Sequence, residues 1–195
     1  MNSGFLGGTF DPPHLGHAVL AQEALERFSL DTVFFVPSRN PPHKGMGVVS
    51  PFSVRKEMLS ISISRDPRFQ LLDLEPPDAP SYTVNLVKRL TDLYGGKPCL
   101  ILGMDSLVEM PLWHQPELLL RLARVVVGTR PGVSPEILPE GSHTDVTLFD
   151  FPGVCISSSD IRRRVSQGRS IRYLVTRGVR SYIREKGLYG SEQGH

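Results

Sequence analysis

The sequence has no long hydrophobic run and few cysteines. Nowhere among its 195 residues do apolar side chains approach the roughly 18 consecutive positions of a membrane-spanning helix. The N-terminus also lacks a basic segment followed by an apolar run, so we expect no signal peptide, no membrane partner and a cytoplasmic protein. Cys99 and Cys155 lie in apolar, strand-like runs, which predicts two buried thiols and not a disulfide or a metal pair.

Metal-binding patterns are equally scarce. No group of acidic residues has the spacing of a metal site built by the protein itself. His14, His17 and His43 are a weak zinc signature, because no acidic or cysteine ligand accompanies them. A zinc enzyme is therefore only a minor alternative.

Charge is unevenly distributed along the chain. The formal net charge is only +2, but residues 162–186 contain nine Lys or Arg and one acidic residue. Such a segment is either a solvated helical face or a nucleic-acid-binding surface. Nucleic-acid binding would need aromatic residues interleaved with the basic ones, and only Tyr173 and Tyr182 are present, so we favour the solvated face.

Strand-like and helix-like segments alternate along the chain, and an apolar content of 39% is enough for one domain with a substantial core. We expect a single domain over 1–195 with an α/β fold: a Rossmann-like, doubly wound, mainly parallel sheet of five to six strands with helices on both faces. Strands are predicted at residues 5–6, 32–36, 69–74, 98–102, 125–128 and 146–149. A helix is predicted to begin at Ser50-Pro51, with the serine as its cap.

Residues 7–17 read GGTFDPPHLGH and join an apolar strand to the start of an amphipathic helix. Backbone N–H groups and the helix dipole favour an anion at such a start. Gly7 and Gly8 keep side chains away from a ligand, and Gly16 allows close packing. His14 and His17 add ring N–H donors on one face of the first turn, which predicts a phosphate site; cap or core histidines are the alternative.

A second helix start with similar chemistry lies towards the other end of the chain. Residues 156–162 read ISSSDIR, in which three serines precede a basic helical pattern. Arg162 falls in the first turn, where its guanidinium can bridge phosphate oxygens. Alone, the pattern indicates only a well-capped basic helix.

Three further segments carry candidate ligand contacts. Gly103 permits close approach at a strand end, and Asp105 either accepts a hydrogen bond from a ribose hydroxyl or caps a helix. Residues 81–83, SYT, begin a helix whose start favours an anion. Trp113 is the only tryptophan, and core packing is its default role.

The motifs GGTFDPPHLGH and ISSSDIR together resemble those of the bacterial nicotinate mononucleotide adenylyltransferases, within the HxGH nucleotidyltransferase superfamily. PPHK at 41–44, SYT, GMDS at 103–106 and a Trp-His segment extend the resemblance over residues 4–189. It implies transfer of AMP from ATP to nicotinate mononucleotide in NAD biosynthesis, with Mg²⁺ carried by the ATP phosphates. Related enzymes acting on nicotinamide mononucleotide or phosphopantetheine are the nearest alternatives.

The resemblance also implies roles for individual residues. His17 would contact the α-phosphate, and His14, Lys44 and Arg162 would hold the triphosphate. Residues 157–189 would complete the ATP site, whose other contacts would be Gly7, Gly8, Thr9, Phe10, Gly16, Gly103, Asp105, Ile156, Ser158 and Ser159. The mononucleotide would be held by Asn40, Ser81, Tyr82, Thr83 and Trp113. There, backbone N–H groups of the SYT helix start would receive the nicotinate carboxylate, and the indole would stack on the pyridine ring.

The sequence departs from the family pattern in two places. Asn85-Leu86 stands where the family has a polar residue and threonine, and no proline occurs near Thr176. We expect the first departure to alter packing more than chemistry. The implied partners are ATP and the mononucleotide, and assembly into a homo-oligomer is left open.

Overall fold

The computed structural model describes residues 2–41, 50–129, 146–153 and 155–190, and its centre is one sheet of six parallel strands. The strands are β1 (Ser3–Gly8), β2 (Thr32–Pro37), β3 (Phe69–Leu71), β4 (Cys99–Gly103), β5 (Arg124–Thr129) and β6 (Val146–Asp150). Their order across the sheet is β3-β2-β1-β4-β5-β6, and every neighbouring pair is parallel. The predicted doubly wound α/β fold is confirmed.

Helices connect the strands and extend beyond the last one. They are α1 (Leu15–Arg27), α2 (Phe52–Ile63), α3 (Thr83–Tyr94), α4 (Met104–Glu109), α5 (Pro116–Leu122), α6 (Ser158–Ser166) and α7 (Arg177–Glu185), with a 3₁₀ turn at Met110–Leu112. Pro111 and Pro116 separate α4, the 3₁₀ turn and α5, as helix-breaking prolines should. None of the helices in the described ranges combines the length and the hydropathy that crossing a bilayer requires.

The central strands β1, β2, β4 and β5 bury both of their faces, because helices cover the sheet on either side, whereas the edge strands β3 and β6 are only partly buried. On one face, Leu6 of β1 packs with Leu20 and Ala24 of α1. On the other face, the neighbouring Phe5 packs with Leu86 and Leu90 of α3. The continuous apolar runs in the strand sequences reflect this two-sided burial.

The C-terminal helices pack against α2. Ile161 of α6 and Val179 and Ile183 of α7 are buried with Met58 of α2. Helix α7 begins without the family's proline, since the side chain of Thr176 accepts a hydrogen bond from the N–H of Val179 at 3.4 Å and caps it. This arrangement brings α6 next to the loop after β1.

Three predictions about local structure are wrong. Strand β3 ends at Leu71, not at residue 74, because the following Asp73 and Glu75 bind Arg39. Helix α2 has Pro51 at its N-cap, while Ser50 is buried and donates its N–H to Asp11. Cys99 is buried as predicted, but residue 155 precedes α6 outside the sheet, and its thiol side chain is exposed.

Candidate active site

A cavity lies at the carboxyl ends of β1 and β4, the two neighbouring strands from which the chain continues to opposite sides of the sheet. Open parallel sheets bind ligands at such a switch point. The cavity has a volume of about 120 Å³. Its walls are formed by Gly7, Gly8, Thr9, Val36, Ser38, Glu75, Ser81, Thr83, Leu86, Leu100, Leu102, Ser106 and Trp113. Six of these residues were predicted from the sequence as ligand contacts: three from the GGTFDPPHLGH motif, two from SYT, and Trp113.

The last two residues of β1 and the loop that follows them, residues 7–14, have a shape in which a side chain at Gly8 would crowd the Phe10 ring. A Cβ on Gly8 would lie 3.0 Å from the ring of Phe10, whose own backbone has a positive φ of 52°. The Phe10 ring is 2% exposed and packs against Phe35 and His17. The backbone of Phe10 can therefore contact a ligand, whereas its buried side chain cannot. Residues 7–14 are called the phosphate turn below.

The two motif histidines lie against each other at the start of α1. Their rings stack with centroids 3.6 Å apart, and the backbone N–H of His14 donates to Nδ1 of His17 at 3.1 Å. Burial lowers the pKa of His14 to about 4, so this imidazole is neutral at pH 7. A Cβ on Gly16 would lie 3.0 Å from Nδ1 of His14, so any larger residue here would crowd the His14 ring.

The carboxylate of Asp11 is fully buried in the middle of the phosphate turn. It accepts hydrogen bonds from the hydroxyl of Tyr189 at 2.6 Å and from the backbone N–H of Ser50 at 3.1 Å. Burial, followed by the hydrogen bond to Asp11, raises the pKa of Tyr189, so the hydroxyl stays protonated and donates. Sequence reasoning missed this contact, since its partners are 178 and 39 residues away.

The start of α6 is bonded directly to the phosphate turn. Arg162 donates to the carbonyl oxygen of Asp11 at 2.7 Å, and the Ser158 hydroxyl donates to that of Pro12 at 2.9 Å. The Ser157 side chain caps α6 by accepting the N–H of Asp160 at 3.0 Å. Ser159, which is exposed, accepts a weak hydrogen bond from Arg162 at 3.3 Å. The two motifs predicted to bind phosphate, GGTFDPPHLGH and ISSSDIR, are therefore in contact. Ile156, which directly precedes Ser157, is half-buried.

The predicted mononucleotide contacts also come together. Asn40 donates its N–H to the Ser81 hydroxyl at 2.8 Å, and the N–H of Ser81 donates back to the Asn40 carbonyl at 2.9 Å. The carboxylate of Glu75 accepts from both the Ser81 hydroxyl and the N–H of Arg39. Glu75 is buried and lines the cavity, and the sequence analysis did not identify it.

Some backbone N–H groups at the SYT helix start already donate hydrogen bonds within the protein. The N–H of Ser81 is bonded to Asn40, and that of Tyr82 to Pro80 at 2.9 Å. The Tyr82 ring stacks on His114 with centroids 4.4 Å apart, while Thr83 and half-buried Trp113 line the cavity. Two of the three backbone N–H groups predicted to bind a carboxylate, those of Ser81 and Tyr82, therefore already donate within the protein. The prediction is restricted to the N–H of Thr83.

At the end of β4, the helix cap is Gly103, so the interpretation of Asp105 as the cap is wrong. Asp105 lies in the first turn of α4 with its side chain exposed, and its ribose contact stays a prediction. Ser106 is the residue of this turn that lines the cavity. Leu86, one of the positions that depart from the family pattern, also lines the cavity and is 4% exposed.

Two predicted groups cannot be placed. Lys44 and His43 lie outside the described residues. Across the described ranges, no three His, Cys, Asp or Glu side chains converge as metal ligands do. Asp11, the carboxylate of the phosphate turn, is fully buried and accepts a hydrogen bond on each oxygen, from Tyr189 and Ser50, so the described residues suit a metal ion that arrives bound to phosphate oxygens.

Comparison with known proteins relates this chain to nucleotidyltransferases. Residues 5–164 match the cytidylyltransferase-like family. A probable nicotinate-nucleotide adenylyltransferase of Geobacillus thermodenitrificans is 40% identical over 190 residues, which cover 96% of this chain and 86% of the relative. One from Exiguobacterium sibiricum is 40% identical over 193 residues, covering 98% of this chain and 100% of the relative.

A solved structure has a similar fold. The Plasmodium falciparum nicotinic acid mononucleotide adenylyltransferase complexed with NaAD superposes with a TM-score of 0.81 at 21% identity, covering 96% of this chain and 97% of that one.

Proposed function

We propose that this chain, which belongs to the nicotinate-nucleotide adenylyltransferases of the cytidylyltransferase-like family, transfers the adenylyl group of ATP to nicotinate mononucleotide. The products are nicotinate adenine dinucleotide and pyrophosphate, in NAD biosynthesis. The observation that carries the proposal is the direct contact between the two motifs, in which Arg162 of α6 binds the carbonyl of Asp11, two residues after Thr9, which lines the cavity. Both can then act on one triphosphate.

The reaction needs positioning more than proton transfer. An oxygen of the mononucleotide's 5′-phosphate, ionised at neutral pH, attacks the α-phosphorus of ATP. The new P–O bond forms as the bond from that phosphorus to the bridging oxygen breaks, and pyrophosphate leaves with the electron pair. The protein must therefore align the two phosphates and stabilise charge on the oxygens, without a general base.

The tautomer of His17 lets its ring donate a hydrogen bond to the α-phosphate. Because its Nδ1 accepts the backbone N–H of His14, the proton of the neutral ring is on Nε2. In the proposed complex, this N–H donates to an α-phosphate oxygen. Neutral His14 contributes a hydrogen bond to the triphosphate but no charge, since burial keeps its pKa at about 4.

Positive charge for the triphosphate would come from Arg162 and Lys44. The hydroxyls of Thr9 and Ser159 would add hydrogen bonds, and Mg²⁺, when bound to the phosphates, neutralises part of their charge. In this proposal residues 157–189 belong to the same single domain and complete the ATP site. The ATP contacts assigned to Gly103, Asp105 and Ile156 are part of the proposal.

The acceptor would lie between the Asn40–Ser81 contact and Trp113. The pyridinium ring is flat and electron-poor, so the indole provides a surface for stacking. The N–H of Thr83, at the N-terminus of α3, favours a carboxylate over a carboxamide, which supports nicotinate as the substrate.

We also propose that the enzyme works in the cytoplasm and needs no nucleic-acid partner. Arg162, the first residue of the basic segment, is directed to the phosphate turn, and Arg163 and Arg164 both pair with Asp160. We make no proposal about the number of subunits.

The experiment mixes the purified protein with ATP, Mg²⁺ and nicotinate mononucleotide and measures pyrophosphate and dinucleotide together. We expect equal amounts of the two products. His17→Ala should lower kcat by about 100-fold, the typical loss for one transition-state hydrogen-bond donor. Arg27→Ala, an exposed change in the last turn of the same helix, is the control. Full turnover by folded His17→Ala would refute the assignment of His17.

A further inference from the structure

Arg55 is a buried arginine to which neither the motifs nor the proposed reaction assigns a role. It lies in the first turns of α2 and is only 1% exposed. We propose that Arg55 is a positioning residue for adenylyl transfer, whose guanidinium fixes the phosphate turn relative to the mononucleotide pocket. This inference rests on the proposed function.

The guanidinium binds three separate backbone segments. Nη1 donates to the carbonyl of Thr9 in the phosphate turn at 2.7 Å. Nη2 donates to the carbonyl of Arg39, after β2, at 3.2 Å, and Nε donates to that of Ser50, before α2, at 3.0 Å. Each nitrogen thus has its own carbonyl partner, and a planar fork of donors is the side chain that can hold three at once.

The Arg39 contact continues into the acceptor side of the cavity. The N–H of Arg39 donates to the Glu75 carboxylate at 2.7 Å, and its Nε donates to the Glu75 carbonyl at 3.0 Å. The next residue, Asn40, exchanges two hydrogen bonds with Ser81. One side chain therefore connects Thr9, on the phosphate side, to the Glu75 and Ser81 wall on the mononucleotide side.

The surroundings of Arg55 suit a permanent buried cation. The carboxylates of Asp11 and Glu75 stabilise its charge, and its guanidinium carbon lies 5.5 Å from the centre of the Phe52 ring. Burial lowers the pKa of Arg55, yet a guanidinium stays charged at neutral pH. An apolar side chain could fill the same space, but it would take this donor away from one buried and two partly buried carbonyls.

The position of this connection matters because the attacking phosphate and the α-phosphorus must be aligned. The two groups bind on opposite sides of the Arg55 contacts, so a shift of Thr9 relative to Arg39 separates them without removing a ligand contact. Loss of the connection should therefore reduce kcat more than it raises KM.

The test compares Arg55→Lys and Arg55→Met with Ile63→Ala. Lysine keeps the charge but has one nitrogen, and methionine keeps only the apolar volume. Ile63 is a buried core residue of the same helix with no polar role, so its variant shows what lost stability alone does to turnover. All proteins are assayed well below their unfolding temperatures with saturating ATP and nicotinate mononucleotide.

We expect Arg55→Lys to lower kcat by about 10- to 100-fold, the range for small misplacements of reacting groups, with both KM values changed less than about threefold. Arg55→Met should lose more, and Ile63→Ala should keep the wild-type kcat per folded molecule. A wild-type kcat in folded Arg55→Lys, or a loss confined to the KM of one substrate, would overturn the proposal. Absence of wild-type turnover would instead refute the proposed function, and this inference with it.

Discussion

The hydrogen bond between Tyr189 and Asp11 provides a quantitative test of how the C-terminal helices are attached. Replacing Tyr189 with phenylalanine removes one hydroxyl and leaves the ring in its cluster with Met58 and Ile183. The carboxylate of Asp11, which has no exposed surface, then loses a hydrogen bond of 2.6 Å. No water can replace the donor unless the packing opens.

The expected cost follows from the charge of the acceptor. Hydrogen bonds to buried charged groups contribute about 1.5–3 kcal/mol, so Tyr189→Phe should lower the free energy of unfolding by about 2 kcal/mol. For a chain of this length, each kcal/mol corresponds to about 2–4 °C, which gives a decrease of about 6 °C in the unfolding temperature.

The assay is thermal and urea unfolding of wild type, Tyr189→Phe and Tyr182→Phe. Tyr182 packs against the same cluster, but its hydroxyl makes no hydrogen bond within the described part of the chain, so its loss should change the unfolding temperature by less than about 2 °C. Equal effects of the two substitutions would contradict the account, since they would show that the Asp11 contact adds no stability.

Three further predictions concern His14, Gly16 and the requirement for Mg²⁺. Because burial lowers the pKa of His14 from 6.5 to about 4, the folded protein binds this proton less tightly than the unfolded chain, so stability falls as the pH drops through this window. Between pH 7 and 4.5 the wild type should lose about 2 kcal/mol more than His14→Asn in urea unfolding, and parallel pH profiles would contradict this. Gly16→Ala places a Cβ 3.0 Å from the His14 ring and should reduce kcat about tenfold in steady-state assays while the protein stays folded; unchanged kcat would show that the ring moves without consequence. Excess chelator should stop turnover, and added Mg²⁺ restore it, without changing the unfolding temperature of the ligand-free protein; a lower temperature would indicate a resident ion.

Much of the fold and part of the site could be predicted from the sequence because the signals are local. Residues 5–17 contain the end of a strand, a glycine turn and a helix start in consecutive positions, and the structure forms β1 and α1 there. The SYT segment likewise predicted a helix start at residues 81–83, and α3 begins at Thr83. These signals are turn residues, helix starts and the periodicity of apolar residues, and all of them come from residues close together in the sequence.

The groups that were missed depend on contacts between distant parts of the chain. Arg55 resembles any other charged residue in an amphipathic helix, and its burial follows only when Thr9, 46 positions earlier, lies beside it. Glu75 has the same explanation, since the N–H that it binds, that of Arg39, lies 36 positions earlier in the chain. Cys155 was predicted to be buried because it lies in an apolar, strand-like run, but it is exposed. An apolar run alone therefore does not place a residue in the sheet.

The most direct test of the central claim is pyrophosphate release from ATP and Mg²⁺ with nicotinate mononucleotide, nicotinamide mononucleotide and phosphopantetheine offered in parallel. We predict a kcat/KM about tenfold higher for nicotinate mononucleotide, because a partly buried helix start such as that of α3 can favour an anion by up to about 2 kcal/mol, and 1.4 kcal/mol corresponds to a factor of about ten. Equal or greater activity with the carboxamide would contradict the site at Thr83 while keeping the phosphate chemistry. No activity with any of the three would contradict the proposed reaction itself.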